Sequence, residues 1–523
     1  MKRRKFLRTA GTTAALTPFV YKGYPITPMA SNSVFSQIAA AATINDRVMV
    51  FVELAGGNDG INTLIPLDQY SNLSNHRNNL LIPQNNVLSL DGVDATGLHP
   101  SMTDFQQMYN EGLVSIVQNV GYPQQDYSHF RSMDIWMTGS DSNEYLGTGW
   151  LGRTLEGAYP GFPDGFPNAD FPHPLALQIG SITPIALMGS NYPMGMAIAN
   201  AEDFYSFIDN LGEPVPPGYY GDELEYIQLV MNQSGLYYDV LKDVAENSNN
   251  LSSKYPETDL ADQLRIVARL IGGGLQTPVY IVRLDGFDTH SEQVEPGDPD
   301  PLRGFHAQLL QTLSEAVCAF QDDLELMGVA DKVCGMTFSE FGRTIGENGS
   351  FGTDHGAAAP LMVFGKGVNP GLIGENPNIP GFIQNSQDLP MVHDFRQVYA
   401  SVLQDWFGIE DWQSILNGHF DVLPIFKGLT STDEVAGGSN PFQVTNYPNP
   451  VSTSTTIAFM SPGAHVVVNL LDVQGRHIVK IAEGQYPMGM HRIVFDRSSL
   501  NSGTYFYQVV LNGLLVTKKM LVL

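Results

Sequence analysis

Two cysteines, Cys318 and Cys334, are all that 523 residues contain, so the chain has no disulfide framework and at most a single bridge. Basic residues are also scarce: 27 Lys and Arg stand against 54 Asp and Glu, for a formal net charge of −27. So acidic a surface repels nucleic acid and anionic membrane as general partners, leaving only a local cation site to attract an anion. No run approaches the roughly 18 apolar residues of a membrane span. A nucleotide-binding glycine motif and a helical or propeller repeat are likewise missing. What the chain does have is core material, 43% hydrophobic and 10% aromatic residues, at a length beyond one small domain.

The opening "MKRRKFLRTAGTTAALTPFV" reads as a targeting segment outside the fold, assigned to residues 1–42. Arg3 and Arg4 followed by Phe6 and Leu7, ahead of a weak apolar stretch, resemble a twin-arginine signal. That route exports folded proteins and suits one loaded with a cofactor in the cytoplasm. Cleavage is open between "IAAAAT", Ile38 to Thr43, and a site near Ala30.

The body, residues 46–429, begins with the apolar, β-rich run Val48 to Leu54 and then "AGGNDG", a buried strand entering a polar loop. "GLVSIVQNVGYP", "PVYIVRLDGFDTH" and "DKVCGMTFSEFGRT" repeat that grammar. Between the last two, Leu309, Leu310, Leu313, Val317, Phe320 and Leu324 recur at helical spacing. Strand, helix, strand predicts a mostly parallel α/β sheet whose ligands gather outside the strands' carboxyl ends. The Gly- and Pro-rich middle, from about Trp150 to Asn249, reads as insertions or a lid. A Ser/Thr/Gly-rich linker at 430–441 precedes short alternating runs at 442–523, which predict a small all-β sandwich.

Polar residues at those strand ends are the candidate site: Asp59; Ser128 and His129; Asp285, Asp288 and His290; Glu340 and Arg343; Asp354 and His355. Carboxylates and imidazoles on Gly-freed turns are what a divalent cation needs. Zinc, calcium, manganese and magnesium all stay open. Each cluster also has a structural explanation on its own: a turn at Asp59 or Asp354, a helix cap at Ser128, an ion pair between Glu340 and Arg343. Their joint occurrence near predicted strand ends is what favours a site. Ser128 is the expected nucleophile, His129 a ligand or proton donor, and Arg343 a partner for an anion.

With "ELAGGNDGINTLIP", "YSHFRSMDIW", "GWLGR", "GFDTHSEQ", "FSEFGRT", "GTDHGAAAPLMVFGKGV" and "HDFRQVYASVLQDWFG" in view, the body resembles the bacterial family called domain of unknown function 1501. That family looks like a branch of the alkaline phosphatase and sulfatase superfamily of α/β metalloenzymes. The resemblance implies an alkaline-phosphatase-like fold, with Asp59 as a metal ligand, Ser128 at the nucleophile position, and Asp288, His290 and the competing Asp285 as further ligands. The superfamily's Asp-His pair departs from the pattern: its strand end reads "SEFGR", and Asp354 and His355 come a loop later. Either Glu340 takes the Asp role and His355 a later His role, or the loop delivers the pair from farther away.

The tail, with "NYPNPVSTSTTI", "LLDVQGR", "LNSGTYFYQV" and "TKKMLVL", resembles the type IX secretion sorting domain of Bacteroidota. Together these readings predict a metal-dependent hydrolase of phosphate or sulfate esters, acting on a small anionic ester or a sulfated or phosphorylated glycan. It would use the twin-arginine and type IX machineries to reach the exterior or the outer-membrane surface through the periplasm. The alternative is a non-catalytic extracellular binding protein on the same fold.

Overall fold

The computed structural model describes residues 45–168, 170–180, 183–198, 248–295, 300–383 and 387–427 of the body. In the tail it describes 444–447, 451, 453–471, 476–497, 500–501, 503–511 and 514–522, and shorter pieces lie at 19–21, 24–26, 237 and 240–245. The N-terminal segment expected to be a twin-arginine signal, apart from the short pairing of Phe19–Tyr21 with Tyr24–Ile26, and the expected linker at 430–441 lie outside the described residues. The chain divides into two compact units, Met1–Gly428 and Leu429–Leu523.

The body is a nine-stranded sheet. Its strands in chain order are β1 (Val48–Ala55), β2 (Val114–Gly121), β3 (Ala176–Ile179), β4 (Met196–Ile198), β5 (Val279–Asp285), β6 (Val333–Phe338), β7 (Ala359–Gly365), β8 (Gly371–Ile373) and β9 (His393–Asp394). Their spatial order is β8-β2-β7-β6-β1-β5-β3-β4, with β9 beside β2, and only β7 runs antiparallel to its neighbours. The Gly- and Pro-rich middle therefore contributes two strands at one side of the sheet, β3 and the edge strand β4, as well as loops. Alternation alone could not reveal strands of four and three residues.

Every residue of β1 is buried, because the sheet is covered on both faces. Val48, Val50, Val52 and Leu54 point into one core with helices α3 (Asp259–Gly272) and α4 (Phe305–Leu326). Met49 and Phe51 point into the other, with α1 (His129–Thr138), α2 (Trp150–Ala158) and α5 (Phe395–Ser401). Trp150 of "GWLGR" stacks on Tyr399 at 4.0 Å and belongs to this second core. Full burial of such side chains is worth about 1.5–3 kcal/mol each for aliphatics and Phe. Parallel registry aligns Ala55 with Asp285 and Glu53 with Phe338, so the loops after β1, β5 and β6 leave the same edge.

In the tail, five antiparallel strands share one hydrogen-bonded sheet around a small core that includes Ile457, Phe459, Val466, Val468 and Tyr507. The runs "TTIAFM" and "HVVVNLL" lie in one strand, Ser454–Leu471. No helix among the described residues is long and apolar enough to cross a membrane.

Candidate metal centre

Three loops meet beyond the carboxyl ends of β1, β5 and β6, and close backbone approach lets them do so. Gly56, at φ +123°, lies so near the β5 loop that a Cβ there would come within 2.2 Å of the Asp288 nitrogen. Gly352, at the head of "GTDHG", has the carbonyl of Thr289 at 2.3 Å from where its Cβ would be. A side chain at either position would push the loops apart. The glycine beside the Asp-His pair thus seats it against the β5 loop.

Arg343 pins this junction and is fully buried. Its guanidinium donates to the carbonyls of Gly57 (2.8 Å), Thr353 (2.8 Å), Phe287 (2.9 Å) and Gly56, and to Asp288 Oδ1 (2.8 Å). It joins three loops and presents no face to solvent, so its place is that of a rivet under the site.

Above it, Asp288 is half exposed and three histidines converge on it. His129 Nε2 stands 3.5 Å from Asp288 Oδ2; His290 Nε2 and His355 Nε2 stand 3.5 and 3.3 Å from Oδ1. The latter two nitrogens are 2.9 Å apart. What faces the other nitrogen of each ring fixes its tautomer. His129 Nδ1 meets Glu340 Oε1 at 2.8 Å, His290 Nδ1 meets Asp354 Oδ1 at 3.0 Å, and His355 Nδ1 meets the Tyr127 carbonyl at 2.7 Å. All three partners only accept, so each Nδ1 carries a hydrogen, and a ring in its neutral form then offers the Nε2 lone pair.

Lone pairs and a carboxylate crowded together repel unless a cation lies among them. The separations suit one: metal to nitrogen distances of about 2.0–2.1 Å in a tetrahedral zinc site put ligand atoms about 3.3 Å apart. His129, Asp288 and His355 alone hold their ligand atoms within 4.8 Å of one another. The residues therefore fit a divalent metal. Three imidazoles and one carboxylate suit zinc or another first-row transition ion better than calcium or magnesium, which prefer oxygen.

Burial pushes the Asp288 carboxyl up, but Arg343, His355 and His129 outweigh it and hold it below the ordinary range. Asp354 is likewise lowered, its burial outweighed by Asn348 and His290. Burial, with help from Arg343, lowers His355 against the pull of the Tyr127 carbonyl and Asp288, which favours the neutral ring.

Asp288, His290, His355 and His129 thus stand together as potential ligands, while Glu340 and Asp354 stand behind them holding histidine rings. Glu340 Oε1 also accepts the Gly56 amide at 2.9 Å. Ser128 precedes α1, exposed; its side chain does not cap the helix, and its backbone amide donates to Asp126 Oδ1 at 2.8 Å. Asp285 points away, 73% exposed, and accepts from Arg283 at 2.7 Å. Asp59 is wholly buried in a two-armed ion pair with Arg77, at 2.6 and 3.0 Å. His99 and His306 are packed, burial pushing them down to about 4 and about 3.

Sequence reading missed Arg77, Gln293 and Phe341. Phe341 lies beneath the rings of His129 and His355 at 5.0 and 4.5 Å, and its position beside Glu340 was a usable signal. Arg77 sits in "SNHRNNL", where nothing local points to Asp59.

Comparison with known proteins bears on both units. Residues 242–417 match the family model described as protein of unknown function (DUF1501), and residues 445–523 match the secretion system C-terminal sorting domain. The sorting domain implies secretion to the cell surface or the extracellular space. Among curated proteins none matches. Among solved structures, the chain is similar to a protein in the alkaline phosphatase superfamily from Vibrio parahaemolyticus, at 10% identity and TM-score 0.35, covering 84% of this chain and 86% of that one. It is also similar to the PsFucS1 sulfatase from Pseudoalteromonas sp., at 12% identity and TM-score 0.31, over 92% and 91%. Its likeness to PorZ of Porphyromonas gingivalis, a surface component of the type-IX secretion system, has 19% identity and TM-score 0.13, and covers 19% of this chain and 13% of PorZ.

Proposed function

We propose that this protein is a secreted or surface-attached, metal-dependent hydrolase of phosphate or sulfate esters. One observation carries the reading: three Nδ1-tethered histidines direct their Nε2 atoms at Asp288. A divalent cation held by His129, Asp288, His290 and His355 would polarise an ester oxygen and offset charge developing on it. The chain's own residues do the rest. Glu340, Asp354 and the Tyr127 carbonyl keep the rings oriented, and Arg343 fixes the loops that carry them. Ser128, beside His129 at the start of α1, offers its hydroxyl as nucleophile at the positive end of a helix.

Tyr127 and Phe130, 46% and 88% exposed on either side of the Ser128–His129 pair, give a ring-bearing substrate such as a sulfated or phosphorylated glycan a surface to lie on. Export would begin with the twin-arginine segment and finish through the type IX machinery that reads the tail.

The test is hydrolysis of aryl phosphate and aryl sulfate by the full chain loaded with zinc, alongside Ser128→Ala. Turnover that falls at least 100-fold in the variant supports the assignment. Turnover unchanged by Ser128→Ala removes the serine from its role. Bound zinc with no turnover on any ester favours the extracellular binding protein, a reading to which the sealed Asp59 also lends weight.

A further inference from the structure

The sequence resemblance places a metal ligand at Asp59, and the atoms around it do not fit one. Arg77 Nη1 and Nη2 take one carboxylate oxygen each, at 2.6 and 3.0 Å, and Gln293 Nε2 donates to Oδ2 at 2.5 Å. Neither Asp59 nor Arg77 exposes any side-chain surface. Arg77 is committed as well: its remaining hydrogens go to Ile345 O at 2.7 Å, Asn62 Oδ1 at 2.9 Å and Thr344 O at 2.9 Å. With all five guanidinium donors used, the arginine has no cheap way to swing aside. A divalent ion at Asp59 would sit against a fixed positive charge in a pocket closed to solvent.

We infer that the centre holds one metal ion, and that the Arg77 guanidinium stands permanently where a second cation would be needed to satisfy Asp59. This deepens the hydrolase reading and rests on it. The pair also supports the first centre. Gln293 spans from Asp59 to Thr353, accepting from Thr353 Oγ1 at 2.9 Å, and Thr353 directly precedes Asp354 and His355. Asp59 thus positions the histidine loop through Gln293 without touching the metal.

The experiment is zinc stoichiometry of the full chain by elemental analysis after dialysis against buffered zinc, for the parent, Asp59→Asn and His290→Ala. The inference predicts one zinc per chain in the parent, one in Asp59→Asn with a lower melting temperature, and at least a tenfold loss of zinc affinity in His290→Ala. Two zincs in the parent, or one equivalent lost in a folded Asp59→Asn, would overturn the single-ion inference and leave the hydrolase reading standing. No zinc in the parent would overturn both. Should Asp59→Asn fail to fold, Gln293→Glu serves instead: it adds a carboxylate beside Arg77, and a second zinc bound there would contradict the claim that the guanidinium already fills the place.

Discussion

Asp59 and Asp288 follow the carboxyl ends of adjacent parallel strands, and the sequence offers the same chemistry at both. Their surroundings differ. Asp59 is sealed with Arg77 and Gln293 and has no exposed surface, whereas the Asp288 side chain is 51% exposed and faces three imidazole lone pairs. A strand-end carboxylate becomes a candidate ligand only where its neighbours leave it an open oxygen. Asp288 also touches a buried arginine, but Arg343 spends most of its hydrogens on carbonyls and leaves Oδ2 to His129.

The comparison is broken most completely by removing Asp288. Asp288→Ala should bring zinc content to background, while the metal-free melting temperature moves little, since the carboxylate is half exposed and Arg343 keeps its carbonyl partners. Retained zinc would mean that the three histidines suffice.

At the sealed aspartate the loss falls on stability. Arg77→Met leaves a buried carboxylate unpaired, and breaking such a pair costs about 3–5 kcal/mol. Burial alone raises the Asp59 carboxyl, and Arg77 is what holds it below the ordinary range. Without the arginine the group should stay protonated to higher pH, so the deficit should shrink as pH falls. Urea unfolding at pH 5 and pH 8 checks this. An equal deficit at both would mean that packing, and not charge, holds the pair.

The sheet was legible because β1, β2, β5 and β6 are apolar runs that stop at polar loops, and the α4 repeat between β5 and β6 fixes parallel order. The candidate ligands were legible by type and by place, since Asp288, His290 and His355 lie on loops that carry glycine. Their division of labour was not. Which of Glu340, Asp354 and His129 touches an ion and which holds a ring depends on side-chain directions across 211 residues for His129 and Glu340. No spacing rule reaches that far. The partner of Asp59 was hidden for the same reason: an arginine in a polar loop looks solvated until the fold buries it.

Glu53 of β1 sharpens the contrast from the strand itself. It is 4% exposed, and burial pushes its carboxyl up to about 7 against the pull of Arg283, with Glu340 and Asp285 adding to the rise. Arg283 Nη1 lies 3.0 Å from Oε1, yet that oxygen has no hydrogen bond, so the contact is an ion pair of poor alignment. The folded state keeps this proton up to about pH 7 and the unfolded chain releases it near 4.5, so stability falls as pH rises between them. That slope is worth roughly 3 kcal/mol, and Glu53→Gln should flatten it. An unchanged slope in urea titrations at pH 5, 6 and 7 would assign the proton elsewhere.

The smallest effect separates a residue behind the metal from one on it. Asp354 Oδ1 accepts from His290 Nδ1 at 3.0 Å and from Asn348 at 3.1 Å, and its charge makes His290 Nε2 a better donor to an ion. Asp354→Asn keeps an oxygen for the ring and removes the charge, so zinc affinity should fall about 10- to 100-fold, equivalent to about 1.4–2.8 kcal/mol, with stoichiometry unchanged. Chelator competition measures it. Because protons compete for the same Nε2 lone pairs, the affinity of parent and variant alike should drop as pH falls. If Asp354 acts only through His290, then adding Asp354→Asn to His290→Ala should cost nothing further. A second, additive loss in that double variant would make Asp354 a ligand in its own right and draw the exposed aspartate and its histidine into one coordination shell.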